Sequence, residues 1–260
     1  MSVSIIKKSL RLGFEFFSGL SVFIGLLGYT VRDINTNFSF FTCLLLLAGA
    51  YIIIAIVTYL AFKAIIFRPY KTKIKGNKVV IKTGDIFEQD GWKVIPFNER
   101  FDTTVDDKII AHSTLNGIFL DEHCDKDEVE NTIKEFHTQN GNITHPLGVI
   151  IPYHDYMLFA FTHFDEDNNA YIDITEYESC LLKMWASIRK VYAGKQVVLP
   201  LIGSGITDIH DVGEKNNTDL LKCILCSLKS SKFQSSSSIT IVLTPDTMES
   251  IDMNDIRSIF

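Results

Sequence analysis

Two long apolar runs near the start of the chain constrain it more than anything else in the sequence. Gly13 to Val31 is 19 residues with Glu15 as the one charged side chain, and Phe38 to Phe67 is 30 residues with Lys63 as the one charge. A helix needs about 20 residues to cross a hydrocarbon core of about 30 Å, so each run is long enough to span a bilayer. The six residues between them, Arg32-Asp33-Ile34-Asn35-Thr36-Asn37, are polar and suit the tight loop of a helical hairpin. A cleaved signal peptide does not fit the first run, because a second span follows at once and no small-residue cleavage site separates them. Lys7, Lys8 and Arg11 precede the first span and Lys63, Arg68 and Lys71 close the second, against Arg32 alone in the loop. The positive-inside bias therefore places both ends, and whatever follows, on the cytoplasmic side. Glu15 lies about one turn into the first span, where a carboxylate reaches the headgroup region or serves an assembly of helices. Gly19, Gly25 and Gly28 offer small surfaces for close helix packing.

Charge divides the chain at the same place. Up to Lys71 there are seven basic and two acidic residues, a net +5, and the whole chain is −6, so the remainder carries −11. The sequence therefore predicts a two-span region over 1–70 and a soluble domain over 71–260. An acidic body lacks the basic face that a phosphate backbone needs, so nucleic acid is excluded as a partner. Five scattered cysteines give no disulfide framework and fit a reducing compartment. Cys223 and Cys226 form a C-x-x-C pair inside an apolar helical run with no second pair of ligands nearby, which reads as a buried helix face before it reads as zinc.

Beyond Arg68-Pro69-Tyr70, strand-like and helix-like patterns alternate. Lys78–Lys82, Trp92–Phe97, Gly148–Pro152, Tyr156–Phe164, Gln196–Ile202 and Ile239–Thr244 read as strands. Lys126–Gln139, Ile174–Tyr192, Asp219–Ser230 and Met248–Phe260 read as helices, the first stopped by Asn140-Gly141. Leu181, Met184, Trp185 and Ile188 share one face of the long helix and form core. This order predicts an α/β fold, a mixed sheet flanked by helices.

Ligands of such sheets gather where strands end, so three strand-leaving loops draw attention: Gly84-Asp85-Ile86-Phe87, Asn98-Glu99-Arg100-Phe101-Asp102-Thr103 and Gly203-Ser204-Gly205-Ile206. Glycines let backbone N–H groups approach a phosphate, and an aspartate accepts hydrogen bonds from an amine or ribose hydroxyl, although each is also an ordinary turn residue. Glu99, Asp102, Asp106 and His112 are acid/base candidates; the plainer reading has Asp102 and Thr103 holding a loop through side-chain to backbone bonds and Asp106 and Asp107 capping a following helix. His145, His154 and His163 recur every nine residues, but alternating strand faces keep them from converging on a metal.

Gly84-Asp85-Ile86-Phe87 resembles the Gly-Asp-Ile-Thr segment of macro domains, and Pro200-Leu201-Ile202-Gly203-Ser204-Gly205-Ile206 is similar to their second phosphate loop. The resemblance covers residues 72–260. Val94 to Thr103, Ile109 to Gly117 and Asp167-Asn168-Asn169-Ala170-Tyr171 look more closely like transmembrane-macro effectors of Thoeris-type anti-phage defence. That resemblance implies a macro-domain-like fold preceded by a two-helix transmembrane hairpin in the bacterial inner membrane, with the N-terminus and the macro domain cytoplasmic. It also implies a TIR-domain partner that converts NAD into an ADP-ribose-type signal, histidine-conjugated ADP-ribose for this subtype. Capture of the signal would lead to homo-oligomerisation and to membrane disruption or growth arrest. By the same carry-over Asp85 and Ile86 would contact adenine, and Gly203, Ser204, Gly205 and Ile206 would cradle the diphosphate. Asn98, Phe101, Asp102 and Thr103 would line the distal ribose pocket, and His112, Ser113 and Gly117 would belong to the first phosphate loop.

The sequence departs from hydrolytic macro domains, which carry Asn-Ala-Ala-Asn and a run of glycines; here Pro96-Phe97-Asn98-Glu99 stands without such a run. The expectation is a sensor that binds without turnover and needs no cofactor or metal. The alternatives are a membrane-anchored ADP-ribosyl hydrolase or ADP-ribose reader, and a structural adaptor with a vestigial pocket.

Overall fold

A computed structural model describes residues 3–26, 39–211 and 213–260. The chain divides into two compact units, Met1–Arg68 and Pro69–Phe260.

In the first unit, α1 (Val3–Leu26) and α2 (Phe40–Ile66) lie antiparallel: Phe17 meets Tyr51 edge-on at 5.7 Å, and Gly13 faces Ala55 and Thr58. A Cβ on Gly13 would stand 3.1 Å from Thr58 Oγ1 and 3.3 Å from Ala55 Cα, so a larger residue there would press on the facing helix. Gly19 and Gly25, expected at the helix contact, face open space instead. Glu15 is paired with Arg11 one turn earlier (2.9 Å), which neutralises the carboxylate within the same helix. Both helices turn large apolar side chains outward, among them Phe14 (60% exposed), Phe23 (60%), Leu45 (73%) and Ile53 (63%). Among the described residues one stretch, Phe40–Ala61, is long and apolar enough to cross a membrane. The far end of the other expected span, Gly28 and the loop Arg32–Asn37 lie outside the described residues.

The second unit is a mixed α/β fold. Its strands are β1 (Tyr70–Ile74), β2 (Asn77–Thr83), β3 (Trp92–Asn98), β4 (Ile150–Tyr153), β5 (Tyr156–Phe164), β6 (Ala170–Asp173), β7 (Val197–Leu199), β8 (Asp208–His210) and β9 (Ile239–Leu243). They run in the order β1-β2-β9-β7-β3-β5-β6-β8, with β4 also pairing β5. The central five, β2, β9, β7, β3 and β5, are mutually parallel; β1 runs antiparallel to β2, β4 and β6 run antiparallel to β5, and β8 runs parallel to β6. β9 and β7 in the middle are buried throughout, as strands covered on both faces are, whereas β2 alternates buried with exposed or partly exposed positions.

The helices are α3 (Leu115–Glu122), α4 (Lys126–Asn140), α5 (Ile174–Val191), α6 (Asn217–Ser230), α7 (Pro245–Ser250) and α8 (Met253–Ile259). On α5 the expected stripe of Leu181, Met184, Trp185 and Ile188 is fully buried, and Trp185 Nε1 donates to Ser227 Oγ of α6 (2.9 Å). Gly141 stops α4 in the left-handed region (φ 69°), as glycine after a helix does. The expected terminal helix is broken in two, because Asp252 caps a fresh turn by accepting from the N–H groups of Asn254 and Asp255. Neither Asp106 nor Asp107 caps a helix. Asp106 Oδ1 accepts from Lys108 and Ile109, Asp107 Oδ1 accepts from His112, and Thr114 is the cap of α3.

Candidate functional site

Parallel strands share one carboxyl edge, and the three glycine- or aspartate-bearing loops all leave from it. Residues 84–87 follow β2, 203–206 follow β7 and 98–103 follow β3. Neighbouring strands lie about 4.8 Å apart, so the order β2-β9-β7-β3 sets the first loop about 14 Å from the third, with the glycine loop between them.

The loop after β2 is pinned by Gly84 N donating to Leu243 O (3.1 Å) at the end of β9. Asp85 is exposed; its Oδ1 accepts from Phe87 N (2.8 Å), and Oδ2 makes no hydrogen bond among the described residues. Ile86 points the other way and is 6% exposed in the core, so its backbone rather than its side chain faces the edge.

The loop after β7 is a tight turn. Ser204 N and Oγ both donate to Leu201 O (3.2 and 2.7 Å), and Gly203 adopts φ 86°. A side chain on Gly203 would be strained by that dihedral and would stand 3.3 Å from both Tyr177 and Ile209. Tyr177 O–H donates to Ile202 O (2.9 Å) from the buried face of α5 and holds the turn from below. Lys215 Nζ donates to Gly205 O (2.6 Å) and Thr207 O (3.1 Å), and burial holds its pKa below the ordinary lysine value. Lys215 thus fixes a cationic charge at the glycine loop, a feature the sequence reading missed because its partners are carbonyls and not a motif.

The loop after β3 is organised by the buried amide of Asn98. Oδ1 accepts from Arg100 N (3.2 Å) and Asp102 N (3.1 Å), and Nδ2 donates to Asp102 Oδ2 (2.6 Å). Phe101 takes a positive φ of 55° at the tip, and its ring packs in the core against Phe97 and Phe136 at 1% exposure. Phe101 thus anchors the loop from beneath. Thr103 Oγ1 donates to Glu130 of α4 (3.0 Å), which ties the end of the loop to that helix.

Farther along the excursion from β3, Thr114 donates to Ala111 O (2.6 Å) and accepts from Gly117 N (3.2 Å). A Cβ on Gly117 would fall 2.2 Å from Ala111 O, so glycine permits the turn to close on α3. His112 and Ser113 are exposed on this turn. His112 Nδ1 pairs with Asp121 Oδ2 (2.6 Å), and this bond raises the imidazole pKa above its ordinary value.

A cleft of about 210 Å³ opens beside the β3 loop. Glu99, His163 of β5 and Glu176 of α5 form a continuous chain along it, with Nδ1 2.5 Å from Glu99 Oε2 and Nε2 3.3 Å from Glu176 Oε2. Lys183 supplies a cation to the same wall. His145 also lines it, is held by Glu99 O (2.9 Å), and has its pKa lowered by burial and by neighbouring His137. Distant sequence positions meet here, so no local motif announces them. Among the described residues no group of three His, Cys, Asp or Glu side chains suits a metal ion. Cys223 is partly buried and Cys226 is exposed, both as free thiols, so the pair is not the wholly buried face expected.

The family profile described as "Thoeris protein ThsA, Macro domain" matches residues 79–244. Thoeris protein ThsA of Bacillus amyloliquefaciens (strain Y2) is 34% identical over 233 residues, covering 82% of this chain and 77% of that protein. The chain belongs to the ThsA macro-domain family. Macrodomains of Oceanobacillus iheyensis share the fold. A mutant solved with ADPR gives a TM-score of 0.51 at 13% identity, and one solved with ADP gives 0.50 at 15%; each covers 74% of this chain and 99% or 96% of its own. The stretch of this ThsA-family chain matched by the profile contains all three loops and the cleft.

Proposed function

We propose that this ThsA-family protein is a membrane-anchored defence effector whose carboxyl edge binds an ADP-ribose-type nucleotide without turning it over. The observation that carries this reading is the order of the loops along the sheet. An exposed aspartate, a glycine turn bearing Lys215, and the Asn98 loop succeed one another over about 14 Å. Adenine, diphosphate and distal ribose follow one another in the ligand in the same order. The free oxygen of Asp85 suits an exocyclic amine, and turn N–H groups beside a held ammonium suit a diphosphate.

The cleft beyond Glu99 favours a conjugated ligand over plain ADP-ribose. Its wall offers carboxylates for an ammonium group and Lys183 for a carboxylate, the two charges of an amino acid such as histidine. In this reading a TIR-domain enzyme makes the signal, two spans hold the protein in the inner membrane, and ligand occupancy drives copies of the chain together. The outward apolar side chains of α1 and α2 support the membrane placement.

Calorimetry on the full chain in nanodiscs tests the site. ADP-ribose and a histidine-linked analogue are expected to bind with one-to-one stoichiometry, the analogue more tightly. Asp85→Ala weakens both ligands, and Lys183→Met weakens only the analogue. Absence of heat with either ligand refutes the proposal, and loss of the modification from an ADP-ribosylated peptide would establish hydrolysis instead.

A further inference from the structure

The acidic unit begins with a basic edge. From Pro69 to Thr83 there are five lysines and no acidic residue. The register of the β1–β2 hairpin sorts them: Lys71 lies opposite Val80 and Lys73 lies directly opposite Lys78. Directly paired residues share a face, and side chains two apart in a strand do too, so Lys71, Lys73, Lys78 and Lys82 stand together on one side. Lys71, Lys73 and Lys78 are exposed and Lys82 is partly so. The opposite side, with Ile74, Asn77, Val79 and Ile81, is buried. Lys75 leaves the group, since its Nζ is committed to Ser231 O (2.9 Å). None of the four makes an ion pair or side-chain hydrogen bond among the described residues, although other lysines, such as Lys195 and Lys222, are paired. Like charges facing each other across a strand pair repel, so the Lys73/Lys78 pair weakens the hairpin unless an anion lies over it. The patch spans about 13 Å along β2 and lies on an edge hairpin, open to an extended surface. In sequence, Lys71 is three residues past Arg68, where the apolar unit ends.

We infer that this lysine face docks onto the anionic headgroups of the bilayer that holds α2. The inference rests on the membrane reading above. Four unpaired lysines beside a membrane segment match the charge and flatness of an anionic leaflet, and the net −15 of residues 84–260 disfavours the same surface for the rest of the unit. The hairpin thereby sets which edge of the sheet faces lipid.

The test uses the full chain in nanodiscs of phosphatidylcholine alone or with phosphatidylglycerol, and reads acylation of each lysine by mass spectrometry. Labelling of Lys71, Lys73, Lys78 and Lys82 is expected to slow at least about threefold in the anionic discs and to recover at about 0.5 M salt, while exposed Lys134 and Lys190 keep one rate. The double variant Lys73→Glu/Lys78→Glu is expected to remove the lipid dependence at Lys71 and Lys82. Equal rates in the two lipids, with the chain eluting in the discs, overturn this inference and leave the membrane reading standing. A chain that does not elute with discs overturns both.

Discussion

Asn98 has more influence on the shape of the candidate site than any residue that faces solvent there, and Asn98→Ala measures it. The variant deletes one bond to a charged acceptor and two from backbone N–H groups. A hydrogen bond to a charged group contributes about 1.5–3 kcal/mol and a neutral one about 1 kcal/mol. Asp102 keeps the guanidinium of Arg100 (3.3 Å), and the freed N–H groups of residues 100 and 102 can recruit water, so the expected loss is about 2–4 kcal/mol. Phe101 adds to it, because its positive φ is held by the turn that Asn98 closes. For a unit of this size each kcal/mol lowers Tm by about 2–4 °C, giving a drop of about 5–15 °C. The assay is thermal unfolding of the full chain in detergent, followed by the fluorescence of buried Trp185. Asn98→Asp keeps the acceptor for both N–H groups but sets a second carboxylate where the amide now lies 2.6 Å from Asp102, so it is expected to destabilise too, with recovery at low pH. A shift under about 2 °C for Asn98→Ala would refute the claim that this amide builds the loop.

Three other outcomes follow from the same geometry. The raised pKa of His112 means that its pairing with Asp121 stabilises the fold below the ordinary imidazole value of about 6.5 and loses that effect as pH rises through the raised value. Asp121→Asn should therefore lower Tm at pH 6 and leave it unchanged at pH 9; an equal shift at both would contradict the pairing. Gly203→Ala, at φ 86° and against Tyr177 and Ile209, should cost about 1–2 kcal/mol and weaken nucleotide binding more than the exposed neighbour Gly205→Ala, as paired melting and calorimetry would show. Burial raises the thiol pKa of Cys223 and raises Cys180 far more, so maleimide should modify exposed Cys226 first and Cys180 only on unfolding, read by mass spectrometry.

The elements that could be read from sequence are those whose period is strong. Tyr156–Phe164 is a strand with the bounds expected, and α5 carries its apolar stripe as anticipated. β1 escaped because Lys-Thr-Lys-Ile alternates lysine with a partly buried partner, which reads as linker until its hydrogen bonds to β2 are known. β6 and β8 are four and three residues long and exist by pairing, β6 with β5 and β8 with β6, so only tertiary structure defines them. α3 was obscured by Gly117, a poor helix former kept for its contact with Ala111. At the site, the three loops were visible because glycine and aspartate mark strand ends. The internal engagement of Asn98 and Phe101 was not, since which side of a loop a residue faces depends on what packs beneath it, and Thr103 holds its loop as expected but through the side chain of Glu130 and not through backbone. Lys215 and the chain of Glu99, His163 and Glu176 join residues that lie far apart in sequence, and no spacing rule anticipates them.

The most direct test of the account is a crystal structure of Pro69–Phe260, a unit with its own core, grown with ADP-ribose. The account predicts adenine beside Asp85, the diphosphate on the turn 203–206 near Lys215, and the distal ribose against the Asn98 loop at the mouth of the Glu99 cleft. A nucleotide bound at the amino edge of the sheet, or running across the strands in the reverse order, would contradict it.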